Sequence, residues 1–505
     1  MLHGDAVAFL GRVEERLPVA SWQRDGLHLW PLIRTELASR ILAAGRPRDL
    51  PAGAVRRVRL SDAAALVRDR PGNARVRGPV DIVYLGTTAN RAPLDGRWCE
   101  RFYDPIADLL DDLGAGHLHL EDTPLAVSYR LPRLRPSKLL RRAVLARRMA
   151  ARLSPGPLPR LEGYELLHGE LAEEFPGAAA PDLRQLAEQA SAVERLAAFF
   201  EGVLARTRPR LVLCTCYYTL VGMALCLAAR RSGVPSIDVQ HGVTRENPAY
   251  AGWTRFPEGG YALLPGAFWC WSPEDAEPME RWPAAARPHH VAWVGGHPWL
   301  AYWGADGGQA GRKLSGPDRA RVRALRGADL NVLVSLTWSS HLSPVLEALM
   351  RAAPPTWRFW IRLHPLMEDQ RSAIRRRCRE LLGGRAAVDA ATDLPLPLLL
   401  READVHLTHN SSVVQEAAAL GTPSVVVDER ALDVYAAEIA SGWARYAAEP
   451  AAALEALAGQ AERRPALAPR QRYPSWGHVA ATVAALLRAP GERPGVAPES
   501  AVRAS

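Results

Sequence analysis

Lysine is almost absent from this 505-residue sequence, which carries it only at positions 138 and 313. The formal net charge of +9 therefore comes from arginine, which is spread along the chain. Nucleic-acid surfaces concentrate basic residues on one face or in one run, so this pattern predicts no nucleic-acid partner. An anionic substrate or an anionic membrane face is compatible with the charge.

Cysteine and long apolar runs are also scarce. The six cysteines match neither the spacing of a metal site nor a disulfide framework, and Cys214 and Cys216 lie in an apolar stretch that predicts a buried strand. No run of about eighteen apolar residues occurs, and the first residues lack the basic and then apolar layout of a signal peptide. We therefore expect a cytoplasmic protein without a membrane span, with peripheral contact to the inner face of the membrane as an open alternative.

What the sequence does contain is a repeated order of strand, loop and helix, which predicts an α/β fold with doubly wound parallel sheets. The length and the 48% hydrophobic content predict two domains with appendages. We assign a helical N-terminal extension to residues 1–75, a first Rossmann-like domain to 76–300, a Gly-rich linker to 301–328, a second Rossmann-like domain to 329–488 and a disordered tail to 489–505. The N-terminal extension carries no pattern that indicates a function.

A histidine follows the second strand of a clear βαβ unit in the first domain. The unit consists of the strand LVLCTCYY from Leu211, a helix from Thr219 to Arg231 and the strand SIDVQ, and it ends on Gln240-His241-Gly242. Ligands of open α/β sheets meet the residues just past the carboxyl ends of the strands, so His241 is a candidate site residue. A loop histidine that only makes hydrogen bonds would occupy the same position. The loop that follows adds a polar cluster suited to a hydroxyl-rich or anionic ligand: Arg245, Glu246, Asn247 and Tyr250.

A second βαβ unit, Ala403 to Asp428, carries a polar turn from Thr408 to Ser412. Ser411 and Ser412 stand where a helix begins, and a helix N-terminus offers unpaired N–H donors and a partial positive charge. The pair is therefore a candidate anion site. The alternative is that the two serines only cap the helix.

Between these units, the segment from Arg133 to Leu153 interleaves basic residues with Leu, Val and Met. A basic amphipathic helix of this kind can lie on an anionic membrane face. A solvated helix face in an Arg-rich protein produces the same pattern, and it is the interpretation that the sequence favours.

Three short motifs together resemble one group of enzymes: VQHG at Val239 to Gly242, RLHP at Arg362 to Pro365 and HNSSVVQEAAALGTPSVV at His409 to Val426. They resemble bacterial surface-polysaccharide glycosyltransferases of GT-B type, among them capsule Kdo transferases, sialyl- and polysialyltransferases and CDP-glycerol glycerophosphotransferases. The resemblance implies two Rossmann-like domains facing a cleft. It further implies transfer of a sugar from a CMP- or UDP-linked donor to a glycan or lipid-linked acceptor in surface or capsule polysaccharide biosynthesis, with no cofactor beyond the nucleotide-sugar substrate.

The resemblance also implies roles for residues of the second domain. His364 would contact the donor phosphate and help the nucleotide leave, since a leaving nucleotide develops negative charge that an imidazole can stabilise. Ser411 and Ser412 would bind that phosphate, and Glu416 would meet the ribose hydroxyls. Asn410 and Arg362 complete the predicted donor-binding set.

On the acceptor side, His241 would activate the acceptor or contact phosphate across the cleft, with Gln240, Gly242, Arg245 and Glu246 around it. Sialyltransferase-like enzymes carry an acidic pair before glycine, whereas Leu94-Asp95-Gly96 lacks the first acid. Asp95 is therefore our catalytic candidate for the base, with Asp104 as a second, and a general base must lie near the acceptor hydroxyl. No DxD-type motif follows a strand, so we expect metal-independent transfer.

Three other interpretations stay open. A non-hydrolysing UDP-sugar 2-epimerase resembles the Gln415-Glu416 helix, but its Gly-Thr-Arg-Pro-Glu loop is not matched by Gly86-Thr87-Thr88-Ala89-Asn90. A CDP-glycerol-type phosphotransferase and a catalytically silent scaffold of the same fold are the other two.

Overall fold

The structure is a computed structural model that describes residues 2–44, 78–123, 132–304, 316–327, 329–337, 342–467 and 473–489. The predicted tail lies outside these ranges from residue 490 onward, as do residues 305–315 of the predicted linker and residues 45–75 of the predicted extension. Among the described helices, none is long and apolar enough to cross a membrane.

The described part of the N-terminal extension is helical and packs on the first domain. It consists of α1 (Leu2–Arg16), the two short strands β1 (Gln23–Arg24) and β2 (Leu27–His28), and α2 (Trp30–Ala44). A buried ion pair fastens it, because the Arg34 guanidinium lies 2.5 Å from the Glu14 carboxylate and both side chains are almost fully enclosed. Arg34 also donates to the carbonyls of Pro248 and Ala251, at 3.1 and 2.7 Å. The extension is therefore anchored on the loop that follows Gln240-His241-Gly242.

The first sheet has seven parallel strands in the order β11-β10-β9-β8-β3-β6-β7, and a separate antiparallel hairpin joins β4 to β5. The strands of this region are β3 (Ile82–Thr87), β4 (Arg91–Leu94), β5 (Arg97–Glu100), β6 (His117–Asp122), β7 (Lys138–Leu139), β8 (Leu211–Cys214), β9 (Ser236–Val239), β10 (Ala267–Cys270) and β11 (Val291–Val294).

Alternate residues of these strands enter different cores. Val83 and Leu85 face one core, whereas Ile82 and Tyr84 face the other, because side chains alternate across a strand. The helices that cover the two faces are α3 (Tyr103–Asp112), α4 (Arg141–Leu153), α5 (Tyr164–Glu174), α6 (Leu183–Thr207), α7 (Leu220–Arg231), α8 (Pro273–Glu280) and α9 (Pro298–Trp303). Asp182 caps the N-terminus of α6, since its carboxylate accepts the Gln185 N–H at 2.6 Å.

The second sheet has six parallel strands in the order β14-β13-β12-β15-β16-β17. Its strands are β12 (Asn331–Ser335), β13 (Arg358–Arg362), β14 (Ala386–Ala387), β15 (Val405–Thr408), β16 (Ser424–Val426) and β17 (Ala444–Tyr446). The helices of this region are α10 (Gly316–Arg323), α11 (Pro344–Ala352), α12 (Arg371–Leu382), α13 (Asp389–Asp393), α14 (Leu396–Glu402), α15 (Val413–Ala419), α16 (Ala431–Val434), α17 (Ala436–Ala440) and α18 (Pro450–Arg463).

The last described helix, α19 (Trp476–Arg488), returns to the first domain. Its Val479, Val483 and Leu486 are buried in the core that also holds Ile106 and Leu110 of α3. The predicted fold class is confirmed in the described residues: two Rossmann-like α/β domains with parallel sheets, and a helical N-terminal region.

Two local predictions differ from the structure. The strand β10 was not predicted, although AFWC is apolar, because a four-residue run beside turn residues is a weak signal. Cys216 was expected inside a strand, but β8 ends at Cys214 and Cys216 adopts a left-handed conformation with φ +58°. A Cβ at Gly222 would lie 2.6 Å from the carbonyl oxygens of Cys216 and Tyr217, so the turn and the first turn of α7 meet this closely only because residue 222 is glycine.

Candidate functional site

The Gln240-His241-Gly242 turn follows β9 at the carboxyl edge of the first sheet. Gln240 is buried, its side-chain amide donates to the Gly242 carbonyl at 2.8 Å, and its side-chain oxygen accepts the Trp271 N–H at 2.7 Å. Gln240 therefore ties the turn to the end of β10. Both Gln240 and Gly242 shape the loop, and their predicted place on the acceptor side stays a prediction.

His241 is held from one side. Its Nε2 lies 3.0 Å from both the Cys216 thiol and the Tyr218 hydroxyl, whereas its buried Nδ1 has no hydrogen-bond partner within the described residues. Burial, together with the nearby Arg101 guanidinium, lowers the pKa of His241 to about 4. The imidazole is therefore neutral near pH 7, and its two ring nitrogens have different surroundings.

A cavity of about 570 Å³ lies between the two domains. Its lining comes from α2, from the loop after His241, and from the second-domain turns after β15 and β16: Thr35, Ala38, Ser39, Leu42, Tyr218, Val243, Glu246, Asn247, Pro248, Ala249, Asn410, Ser412, Arg430, Val434 and Tyr435. Of the predicted site residues, it brings together Glu246, Asn410 and Ser412. Tyr218 connects the cavity wall to His241.

The α2 wall of the cavity was not predicted. Thr35, Ala38, Ser39 and Leu42 follow the i, i+3, i+4, i+7 spacing of one helix face, and the opposite face of α2 is buried through Ile33 and neighbouring apolar residues. The apolar spacing in the sequence predicts the helix. It carries no signal that the face of small and polar side chains would meet a ligand site.

The two serines of the second-domain turn have different surroundings. Ser412 occupies the N-cap position of α15, but its hydroxyl makes no capping bond and lines the cavity. The Ser411 hydroxyl accepts the Val413 N–H at 3.4 Å within the same turn. The Asn410 carbonyl accepts a hydrogen bond from the Tyr435 hydroxyl at 3.0 Å. The predicted contact of the two serines with the donor phosphate stays a prediction.

Arg430 adds a positive charge to the same wall and was not among the predicted residues. Asp428 orients it, with the Arg430 Nε 2.9 Å from one carboxylate oxygen, and this contact raises the pKa of the guanidinium further. Arg430 lies just past the end of β16, at the carboxyl edge of the sheet. The strand-end rule that pointed to His241 could have found it.

Arg101 and Glu416 face each other across the domains. The Arg101 Nη1 lies 3.8 Å from a Glu416 carboxylate oxygen, and the Arg101 Nε donates to the Asn90 carbonyl at 3.2 Å. Burial raises the pKa of Glu416, while Arg101 and Arg362 oppose that rise. Glu416 thus meets a cation of the first domain and is not among the cavity-lining residues. Its predicted ribose contact stays a prediction.

Arg362 and His364 lie at the end of β13. The Arg362 Nη1 donates to the carbonyls of Ala391 and Leu394, at 2.8 and 2.7 Å, at the end of α13. His364 is half-buried at the carboxyl edge of the sheet. Since β12 lies between β13 and β15, His364 and the serine turn are two strands apart, about 10 Å. Its predicted contact with the donor phosphate stays a prediction.

The remaining predicted residues point elsewhere. Arg245 is exposed, pairs with Glu277 at 3.2 Å and donates to the Glu274 carbonyl, so it serves the contact with α8. Asp95 is exposed at the tip of the β4–β5 hairpin, where Asp95 and Gly96 both have positive φ. Asp-Gly is a preferred sequence for this two-residue turn, so hairpin geometry by itself explains these two residues. The predicted role of Asp95 as base stays a prediction.

Asp104, the second base candidate, is buried at the start of α3. One carboxylate oxygen accepts the Glu100 N–H at 2.9 Å, and burial raises the pKa of Asp104 to about 7. Glu100 has a similar environment, and its pKa is also raised by burial to about 7. Among the described residues, no cluster of three or more His, Cys, Asp or Glu has the geometry of a metal site.

No protein-family model matches the sequence, and no curated protein matches it. Solved structures similar to this chain include the UDP-GlcNAc 2-epimerase from Neisseria meningitidis bound to UDP-GlcNAc, with 14% identity, coverage of 80% of this chain and 98% of that chain, and a TM-score of 0.49. The Methanocaldococcus jannaschii UDP-GlcNAc 2-epimerase in complex with UDP-GlcNAc and UDP has 12% identity, coverage of 81% and 99%, and a TM-score of 0.48. The Streptomyces sp. SF2575 glycosyltransferase SsfS6 has 16% identity, coverage of 80% and 99%, and a TM-score of 0.40. Similarity at this level assigns no reaction.

Proposed function

We propose that the protein is a glycosyltransferase that moves a sugar from a nucleotide-activated donor to a second substrate in the cavity between its two domains. The observation that carries the proposal is the lining of that cavity. One wall offers Asn410, Ser412 and Arg430, and the facing wall offers Tyr218, Glu246 and apolar side chains. A site with two chemically different walls suits two substrates.

The second-domain wall fits the diphosphate or monophosphate of the donor. A hydroxyl, a side-chain amide and a fixed guanidinium can all donate hydrogen bonds to phosphate oxygens, and the guanidinium adds charge. Negative charge grows on the nucleotide as the bond to the sugar breaks, so these donors stabilise the transition state more than the ground state. His364 is proposed to approach the same phosphate from β13.

The first-domain wall is proposed to hold the acceptor. Glu246 is the only carboxylate among the described lining residues, and burial raises its pKa from the ordinary value. A carboxylate with a raised pKa is a better proton acceptor near neutral pH, so Glu246 is our candidate for the general base. His241 is neutral and positions the acceptor or the transferred group through its free Nδ1.

A nucleotide-sugar epimerase is the second candidate. The observation that favours it is the Gln415-Glu416 pair on α15, where the Gln415 side-chain oxygen and one Glu416 carboxylate oxygen are buried without a hydrogen-bond partner in the described part of the chain. Polar atoms in that state are suited to a bound sugar nucleotide. An epimerase needs no acceptor, however, and would leave the α2 wall without a role.

Two measurements separate these functions. A thermal-shift panel with CMP, CDP, UDP and GDP identifies the nucleotide, because a ligand that binds only the folded state raises the melting temperature. The matching nucleotide sugars are then incubated with the protein, with and without a glycan or glycolipid mixture. Nucleotide release that depends on the mixture supports transfer, whereas a new nucleotide sugar without nucleotide release shows epimerisation. A protein that binds no nucleotide contradicts both proposals.

A further inference from the structure

Arginine is spread along the chain, but one segment lacks the acidic residues that balance it elsewhere. Residues 123–161 contain ten Arg or Lys and no Asp or Glu, whereas the whole chain has a formal net charge of +9. The rest of the chain is therefore close to neutral. The helix α4, Arg141–Leu153, forms the centre of the described part of this segment.

An apolar stripe runs along the outward face of α4. Met149 and Leu153 lie one turn apart and are 53% and 82% exposed, and half-buried Leu145 precedes them by one turn. Val144 and Ala151 fill the inward face and are buried. The helix therefore has two apolar faces, and the described residues bury only one of them.

Arginines border the exposed stripe. Within the described residues, Arg142 and Arg148 form no ion pair, and Arg152 is 73% exposed with its closest carboxylate, Glu188, at 3.8 Å. Arg147 instead lies over the Phe199 ring, 4.4 Å from its centroid. The stripe is thus flanked by guanidinium groups without a strong partner.

A second Arg-rich helix shows that this arrangement does not follow from composition alone. In α12 the apolar residues Ile374, Cys378 and Leu382 are buried, and Arg371 and Arg377 pair with carboxylates at 2.5 Å. That helix therefore presents no apolar stripe to solvent, although it too carries exposed arginines, whereas α4 leaves an apolar stripe exposed between its arginines.

We propose that α4 lies on the surface of an anionic phospholipid bilayer, with Leu145, Met149 and Leu153 in the acyl boundary and Arg142, Arg148 and Arg152 on the lipid phosphates. A helix with an apolar stripe and a basic border binds such an interface through both area and charge. At 1.5 Å per residue, α4 would extend about 20 Å along the membrane. Nucleic acid would use the arginines but not the stripe. The inference is independent of the reaction proposed above.

Co-sedimentation of the full-length protein with vesicles tests the proposal. We expect binding to phosphatidylcholine mixed with phosphatidylglycerol, at least about tenfold weaker binding to phosphatidylcholine alone, and loss of that difference in high salt. Equal binding to both vesicle types, or binding to neither, overturns the proposal. Binding to neither is also the result expected if an acidic protein covers this face.

Two double variants and a matched control locate the surface. Arg148→Glu with Arg152→Glu is expected to weaken vesicle binding at least about twentyfold, since each arginine removed costs roughly a factor of five. Met149→Ser with Leu153→Ser is expected to weaken it about tenfold. Arg376→Glu with Arg379→Glu makes the same change of charge on exposed positions of α12 and should alter binding by less than about twofold. Two results would contradict the placement of α4 on the membrane: equal losses of vesicle binding in the α4 and α12 charge variants, or no loss in Met149→Ser with Leu153→Ser.

Discussion

The two walls of the interdomain cavity are built differently. On the first-domain wall, polar groups are partners of one another: Tyr218 contacts His241, and the α2 helix is fastened to the loop by Arg34. On the second-domain wall, the Ser412 hydroxyl has no capping bond and Arg430 is oriented by Asp428 toward the cavity. The first wall can hold a neutral or hydroxyl-bearing substrate in position, whereas the Ser412 hydroxyl and the guanidinium that Asp428 holds in place suit an anion.

This difference predicts that changes in the first wall affect stability and turnover, and that changes in the second wall affect nucleotide affinity. Single substitutions in and around the two walls test this difference.

Glu14→Ala should destabilise the protein by about 3–5 kcal/mol, because it leaves the Arg34 guanidinium buried without its charge partner. Urea unfolding, followed by fluorescence, measures the loss. The control is Glu174→Ala, which breaks the exposed pair with Arg12 and should change stability by less than about 1 kcal/mol. Equal effects would show that the ion pair does not hold α2 against the cavity.

His241→Ala should lower kcat about 100-fold with the donor that the nucleotide panel identifies, because it removes a positioned hydrogen-bonding group from the reacting centre. The dissociation constant for the nucleotide should change by less than about threefold. Initial rates and calorimetric titration measure the two quantities. A large loss of nucleotide affinity with unchanged kcat would move His241 to the donor side.

Arg430→Ala should weaken nucleotide binding about 20-fold, as expected for the loss of one charge-assisted hydrogen bond to phosphate. Calorimetric titration with the free nucleotide measures it without any reaction. Arg376→Ala, on the exposed face of α12, is the matched control and should leave the affinity unchanged. An unchanged affinity in Arg430→Ala would remove the anion site from this wall.

The two neighbouring serines provide a matched pair. Ser412→Ala should weaken nucleotide binding about fivefold through the loss of one neutral hydrogen bond, with little change in stability. Ser411→Ala should lower stability by about 0.5–1 kcal/mol through the loss of its bond to the Val413 N–H, with little change in affinity. Thermal melts and nucleotide titrations of both variants measure these effects. If Ser411→Ala weakened nucleotide binding and Ser412→Ala lowered stability, the two serines would have the opposite roles.

Arg101→Met should raise the pKa of His241 above its value of about 4, because the guanidinium disfavours the imidazolium and its removal relieves that repulsion. Burial, the larger cause, stays in place, so the group should still be neutral at pH 7. NMR titration of the histidine ring protons measures the shift. Arg97→Met, at the exposed first position of β5, should leave the pKa of His241 unchanged. A fall in that pKa in Arg101→Met would contradict the assigned sign.

Much of the fold was accessible from the sequence because local patterns report local structure. The βαβ unit predicted from Ala403 to Asp428 begins with the strand β15, and Gln240-His241-Gly242 was placed correctly past β9. The short strand β10 escaped because four residues carry too little periodicity.

For the site, the sequence by itself determined which residue types stand at the carboxyl ends of the strands, since strand direction and chain order follow from the βαβ pattern. Only the tertiary structure decided that α2, some two hundred residues before His241, forms a wall of the cavity, and that Arg101 meets Glu416. It also separated Ser411 from Ser412 and turned Asp95 into a hairpin tip. Spacing along a chain does not specify side-chain direction or contacts between distant elements, because both depend on how the packed elements satisfy one another's buried groups.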